Sequence, residues 1–199
     1  MRNAGRVVLT LLVGACALLG LGCTDDDPDG PSPEERTEDL GAPTGRLDLG
    51  AGLSVAGYEG WTVTQQLQPT DAPAEECGSI HASLDADGTV VAVTLPAAVC
   101  AGEEQSVLNG EHGDYVGIDD VPGARDIATT TSGLGEVTTF EQTYTECTNE
   151  CVDSTDRVAL VALTTPAAPD RPTLMVRVDA DDMDAEAFAA LVDSLADDG

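Results

Sequence analysis

Alternating apolar and polar positions predict a chain built mainly of β-strands. Residues 46–55 alternate in this way, and residues 79–95 (SIHASLDADGTVVAVTL) form two such runs around an Asp- and Gly-containing turn. This pattern predicts a β-hairpin in which Gly88 supplies the left-handed backbone conformation of the turn. His81 falls on the polar side of its run, so we expect it to be exposed. Trp61 begins another short strand, and we expect it in the core.

Three later runs also predict strands. Residues 136–146 are rich in Thr, residues 157–163 (RVALVAL) are apolar on both faces, and residues 174–178 alternate. A run without a polar face is typical of a central strand, whereas the alternating run predicts a strand with one face in solvent. We expect the last two runs to pair as an antiparallel hairpin.

The C-terminal residues predict an amphipathic helix. Apolar residues recur there at helical spacing, and aspartates precede them where a helix N-terminus is capped: Phe188, Leu191, Val192 and Leu195 form the stripe, and Asp181, Asp182 and Asp184 the cap. A helix of about 13 residues is unstable alone in water, so we expect it to pack on the sheet. Strands closed by one helix predict an α+β fold with a mostly antiparallel sheet.

Two stretches have a less regular pattern. Residues 97–109 favour a short helix, and residues 110–131 are rich in Gly, Asp and Pro, which predicts a long irregular segment. Such segments are commonly either functional or loosely ordered. We therefore expect residues 110–131 to form the contact surface if the protein binds a partner.

The N-terminal residues have the pattern of a secretory signal. Arg2 and Arg6 precede an uncharged apolar run, residues 7–22, which is shorter than the roughly 20 residues that span a bilayer. The segment resembles a bacterial lipoprotein signal, in which a Cys after small residues is lipidated and becomes the new N-terminus. The resemblance implies lipidation of Cys23 and attachment to the extracytoplasmic face of the cell membrane. Lipidation of Cys16 is an alternative, as is a signal peptide without lipid or an uncleaved membrane anchor.

Cys23 is favoured because cleavage there leaves a polar N-terminus. The chain is then divided into a signal peptide at residues 1–22, an acidic tether at 23–45 and one globular domain at 46–199. The tether has too few apolar residues to offset the entropy cost of folding. Its residues 25–30 begin like an EF-hand loop, but Arg36 occupies the position of the bidentate acid, so we interpret them as linker.

Charge excludes one class of partner. The chain has 37 Asp and Glu residues but only eight basic residues, all of them Arg, and two of these lie in the predicted signal. Such an acidic chain repels nucleic acid, so we exclude DNA or RNA binding. Solubility is a sufficient explanation of the acidic residues. A calcium-dependent surface protein is the alternative that assigns them a function.

Four cysteines remain after lipidation of Cys23: Cys77, Cys100, Cys147 and Cys151. An even number in an exported chain predicts two disulfides. The Cys77–Cys100 and Cys147–Cys151 pairing is preferred, because the first pair flanks the 79–95 hairpin and the second is close in sequence. A metal site using Cys147, Cys151 and a histidine is the less favoured alternative, since the spacing differs from Cys-x-x-Cys.

The sequence contains little that indicates catalysis. The motif GLSVA around Ser54 lacks the last Gly of a nucleophile elbow, and His112 is the best single candidate for an acid–base group. We therefore expect a cell-surface binding protein without cofactor or metal, whose partner is a cell-envelope protein or a small ligand. A small extracytoplasmic hydrolase that uses His112 is the alternative.

Taken together, these features resemble uncharacterised surface lipoproteins of high-GC Gram-positive bacteria. In addition, the Gly60-Trp61 turn into a strand, the late strand pair and the terminal helix resemble the PsbP-like (LpqN-type) α/β sandwich. This second resemblance covers residues 46–65 and 155–197 and implies a sandwich fold. The two cysteine pairs are not part of that general pattern.

Overall fold

A computed structural model of the chain describes residues 41–102, 113–147 and 151–198, within which there are ten β-strands and one α-helix. The early strands are β1 (Gly45–Gly50), β2 (Leu53–Gly57), β3 (Thr62–Gln65), β4 (Ser79–Ala86) and β5 (Thr89–Pro96). The later elements are β6 (Ala124–Thr131), β7 (Gly135–Cys147), β8 (Cys151–Leu163), β9 (Thr173–Asp179), α1 (Ala185–Asp193) and β10 (Ala196–Asp197).

The strands form two antiparallel sheets. The larger has seven strands in the order β3-β4-β5-β9-β8-β7-β6, and the smaller has three in the order β1-β2-β10. The predicted α+β class, with a mostly antiparallel sheet and a C-terminal helix, is confirmed. The small sheet was not expected as a separate layer; with α1 it covers one face of the large sheet. We call that face the helix side.

The helix side contains the main apolar core. Alternate residues of β4, β5, β8 and β9 point into it, among them Val93, Leu174 and Val176, all of which are fully buried. Trp61 is also buried there and packs edge-on against Tyr58, with 4.7 Å between the ring centroids, which confirms its predicted core position.

The β4–β5 hairpin forms as predicted. Ala86 pairs with Thr89, so the turn consists of Asp87 and Gly88 alone, both with positive φ (57° and 95°). Two such residues are typical of the tight hairpin turn whose twist matches that of the strands. His81 is exposed on β4, as expected.

In the second half of the chain, β8 lies between β7 and β9. β7 and β8 pair without a break from Gly135 to Cys147, and β8 pairs antiparallel with β9. The apolar run 157–163 therefore lies in an interior strand, as its pattern predicted.

Helix α1 is shorter than its apolar stripe suggested. Asp184 caps its N-terminus by accepting a hydrogen bond from the backbone N–H of Ala187 (2.8 Å). Phe188, Leu191 and Val192 are buried, whereas Leu195 lies beyond the last helical residue, Asp193, and is buried from the following segment. The stripe thus continues into the core after the helix has ended.

The prediction of a long irregular segment at residues 110–131 was wrong for its second half. Residues 124–131 form strand β6, which pairs with β7, and residues 113–123 lie on the large sheet with Tyr115 and Val121 buried. A run of Thr without apolar residues gives no alternation, so its strand character comes from pairing with β7. Of the short helix expected within residues 97–109, the described part contains a three-residue 3-10 turn at Ala98–Cys100.

Candidate interaction surface

The second face of the large sheet, which we call the loop side, is covered over β7, β8 and β9 by residues 113–123. Its apolar cluster is small and includes two residues of the covering segment; the members are Tyr115, Val121, Phe140, Val158, Leu160 and Met175. The prediction that β9 has one face in solvent was therefore wrong, because Met175 on that face is only 2% exposed. The alternation of residues within one strand gives no information about a segment distant in sequence that covers the strand.

Tyr115 fixes this segment to the sheet. Its ring is buried, and its hydroxyl oxygen accepts a hydrogen bond from Nε2 of Gln142 (3.0 Å), which also donates to the carbonyl of Pro122 (3.0 Å). Burial raises the pKa of the Tyr115 phenol, and the hydrogen bond from Gln142 opposes this effect only in part. A Cβ at Gly113 would overlap the Tyr115 ring, so glycine is required for this packing.

A partly buried ion pair lies beside this anchor. Nε of Arg177 on β9 is 3.5 Å from Oδ2 of Asp156 on β8, and their side chains are 19% and 5% exposed. Burial lowers the pKa of Arg177, while the charge of Asp156 acts in the opposite direction. Asp156 pairs directly with Gln142 across the β7–β8 ladder, so the strand register brings the ion pair next to the Tyr115 anchor.

Arg171 lies in the β8–β9 connection and contacts the β4–β5 hairpin. Its guanidinium donates to the carbonyls of Gly78 and Leu95, the latter at 2.8 Å. Burial lowers the pKa of Arg171, opposed by the nearby charges of Asp114 and Asp170. The open end of the β4–β5 hairpin is thereby attached to the β8–β9 connection.

Strand β6 is the exposed part of this surface. It ends the order of the seven-stranded sheet, and residues 125–131 are exposed along their whole length. The strand is interrupted by a bulge between Arg125 and Ala128, where Asp126 has a positive φ of 52° and Ile127 is 54% exposed.

A pocket of about 160 Å³ lies on the helix side of β6 and β7. Its apolar wall comes from Ala185, Phe188 and Ala189 of α1, and its polar wall includes Asp126 and Glu141. Arg157 also lines it, but its guanidinium lies 3.4 Å from a Glu141 carboxylate oxygen and donates to backbone carbonyls next to α1. The positive charge is thus already engaged.

The four cysteines of the folded part form two disulfides, Cys77–Cys100 and Cys147–Cys151, which is the pairing preferred from the sequence. The alternative metal site would need Cys147 and Cys151 as free thiolates, whereas here they are bonded to each other across the end of the β7–β8 hairpin. In the part of the chain that the structure describes, no group of three or more His, Cys, Asp or Glu side chains is placed to hold a metal ion.

Other predicted site residues lie outside the described residues. These are Cys16, Cys23 and the tether to residue 40, together with His112. The residues that sequence reasoning missed are Tyr115, Gln142, Asp156 and Arg177. The only local signal was Arg177, a charged residue between the apolar residues of β9.

Comparison with known proteins gives no relative from which to transfer a function. No protein-family model, curated protein or solved structure matches the chain. No helix in the described ranges is long and apolar enough to cross a bilayer.

Proposed function

We propose that the protein is an exported, lipid-anchored binding protein of the cell surface, without catalytic activity of its own. Cys23 carries the lipid, the residues between Cys23 and β1 hold the domain away from the membrane, and the folded domain contacts a cell-envelope partner. The observation that carries this proposal is the pair of disulfides, because such bonds persist in oxidising compartments outside the cytosol.

The proposed contact surface is the part of residues 113–131 that faces solvent. Residues 113–123 are attached to the sheet by buried Tyr115 and its hydrogen bond from Gln142, and a surface already ordered before binding loses little conformational entropy when it binds. Beside them β6 offers an exposed strand. We also propose that the fold is a PsbP-like sandwich, supported by an antiparallel sheet with a C-terminal helix on one face.

The intact mass of the native protein, measured before and after reduction, tests export and anchoring together. We expect the mass of a chain that begins at Cys23 and carries acyl chains. Reduction of the two disulfides should add the mass of four hydrogens. A Cys23→Ser variant should lose the acyl mass and leave the membrane fraction, whereas the matched Cys16→Ser variant should keep both. A cytosolic protein with Arg2 present and free thiols would contradict the proposal.

A further inference from the structure

The two edge strands of the seven-stranded sheet, β3 and β6, differ in length and in what lies beside them. At one edge β3 has only four residues, and Leu67, just beyond it, forms a bridge with Gly50 of β1, so the small sheet continues that edge. At the other edge β6 has eight residues, and no strand in the described ranges pairs with its outer side.

The register shows which backbone groups of β6 face outward. Ser132 donates its N–H to the carbonyl of Gly135 at the β6–β7 turn (2.8 Å), which makes these two a hydrogen-bonded pair. Hydrogen-bonded and non-hydrogen-bonded pairs alternate along an antiparallel ladder. Thr130 therefore bonds to β7, while the N–H and C=O groups of Thr129 and Thr131 point to the open edge.

This part of the edge is not protected against pairing. Natural sheets block their edges with charges, prolines or bulges. Here the bulge and the charged residues, Arg125 and Asp126, occupy only the first half of β6. Residues 128–131 (ATTT) are regular, uncharged and exposed, so they can accept another strand.

Binding by strand addition also needs a side-chain pocket for specificity. The pocket between α1 and β6–β7 has room for one side chain, about 160 Å³, and its wall from α1 is apolar. On the polar wall Arg157 and Glu141 already neutralise each other, so neither charge calls for an ionic partner. An aliphatic side chain fits the pocket.

The net charge of the chain indicates the charge of the partner segment. The chain carries a formal charge of −29, so a second copy is repelled and a basic segment is attracted. Exposed Asp126 lies at the pocket and adds to this attraction locally.

We propose that β6 is the docking edge for an extended, basic segment of a cell-envelope protein, which adds as an eighth strand and inserts one aliphatic side chain beside α1. This inference rests on the proposed binding function and specifies its surface and its partner.

The probe is a short synthetic peptide in which Lys alternates with Val around one central Leu, added to the purified mature chain. Binding should shift the amide resonances of Thr129 and Thr131 and weaken as salt is raised. A matched peptide with Glu in place of Lys should not bind. Equal binding of the two peptides, or shifts confined to other strands, would overturn the proposal.

Substitutions in β6 test the main-chain contact. Thr129→Pro removes an outward N–H but no bond to β7, so the hairpin should remain while peptide affinity falls about tenfold. Thr129→Val keeps the N–H and should bind within about twofold of the wild type, since only the hydroxyl is lost. Unchanged affinity in Thr129→Pro would overturn the proposal.

A second pair of variants is independent of the β6 backbone. Ala189→Phe fills the pocket and should weaken binding about tenfold, while Ala190→Phe, on another exposed position of α1 outside the pocket, should not. Equal affinities of these two variants, or a dimer that forms through β6 in place of the peptide complex, would contradict the inference. Export and anchoring are tested by the intact mass and the Cys23→Ser variant. A failure of the peptide experiments therefore leaves that proposal unaffected.

Discussion

The two faces of the seven-stranded sheet are covered by different means. The helix side is closed by α1 and the small sheet over a continuous apolar core, whereas the loop side is closed by residues 113–123 through Tyr115, Gln142 and a neighbouring ion pair. Apolar burial gains free energy in proportion to area, while buried polar groups mainly impose a penalty when a partner is lost. The helix side therefore supplies stability, and the loop side fixes one position of the covering segment.

Removal of the Cys77–Cys100 disulfide should have the largest effect on this arrangement. The bond joins the residues that flank the β4–β5 hairpin, and it closes a 23-residue separation. Cys77→Ala with Cys100→Ala should cost about 3.5 kcal/mol of unfolding free energy, against about 2 kcal/mol for the Cys147→Ala/Cys151→Ala pair. Urea unfolding measures both, and equal costs would contradict the ranking.

Truncation on the helix side should come next. Leu174→Ala, at a fully buried position of β9, should destabilise the domain by about 3 kcal/mol through lost burial and the resulting cavity. Val90→Ala is the matched control on the other face of β5, where Val90 is 62% exposed, and should change stability by less than about 0.5 kcal/mol. Similar losses at the two sites would show that the core is not confined to the helix side.

For the Asp156–Arg177 ion pair on the loop side, we expect the losses of unfolding free energy to be non-additive. Asp156→Asn should cost about 2 kcal/mol because Arg177 stays partly buried without its carboxylate partner. Adding Arg177→Met to that variant should restore about half of the loss. A double-mutant cycle measured by urea unfolding gives this coupling, and additive losses would argue against a functional ion pair.

The smallest effect is expected at Tyr115, and it depends on pH. Tyr115→Phe should cost about 1 kcal/mol at neutral pH, since Gln142 loses one acceptor. Because the folded pKa of Tyr115 is raised above that of the unfolded chain, about 10, the folded protein resists deprotonation. Wild-type stability should therefore fall as pH rises above about 10, until the folded pKa is passed.

Tyr115→Phe should lack this contribution to the alkaline loss. Urea midpoints measured across the alkaline range, with the ionisation of the phenol followed by absorbance, compare the two proteins. Parallel pH profiles would contradict the burial of a neutral Tyr115.

The elements with strong local periodicity were predictable from the sequence. The β4–β5 hairpin, the interior strand within residues 157–163 and the capped helix each carry their own pattern of apolar positions. The loop side was not predictable, because the contact between Gln142 and Tyr115 depends on strand register and on a segment 27 residues away. Strand β6 was missed for a related reason, since its Thr residues are ordered by pairing with β7.

The proposed docking edge, β6, could not be predicted from the sequence for the same reason. Its exposed Thr run gave no signal as a strand, although the preceding Gly, Asp and Pro suggested a functional segment. Only the sheet order identifies residues 128–131 as an unprotected edge.

The two ends of the folded domain meet on the small sheet, where β1 and β10 flank β2 and Nε of Arg46 lies 3.7 Å from Oδ1 of Asp198. Ends this close permit circular permutation, with a short linker joining them and new termini opened at the Asp87-Gly88 turn. The small sheet is accordingly where a natural fusion to another module would disturb the domain least.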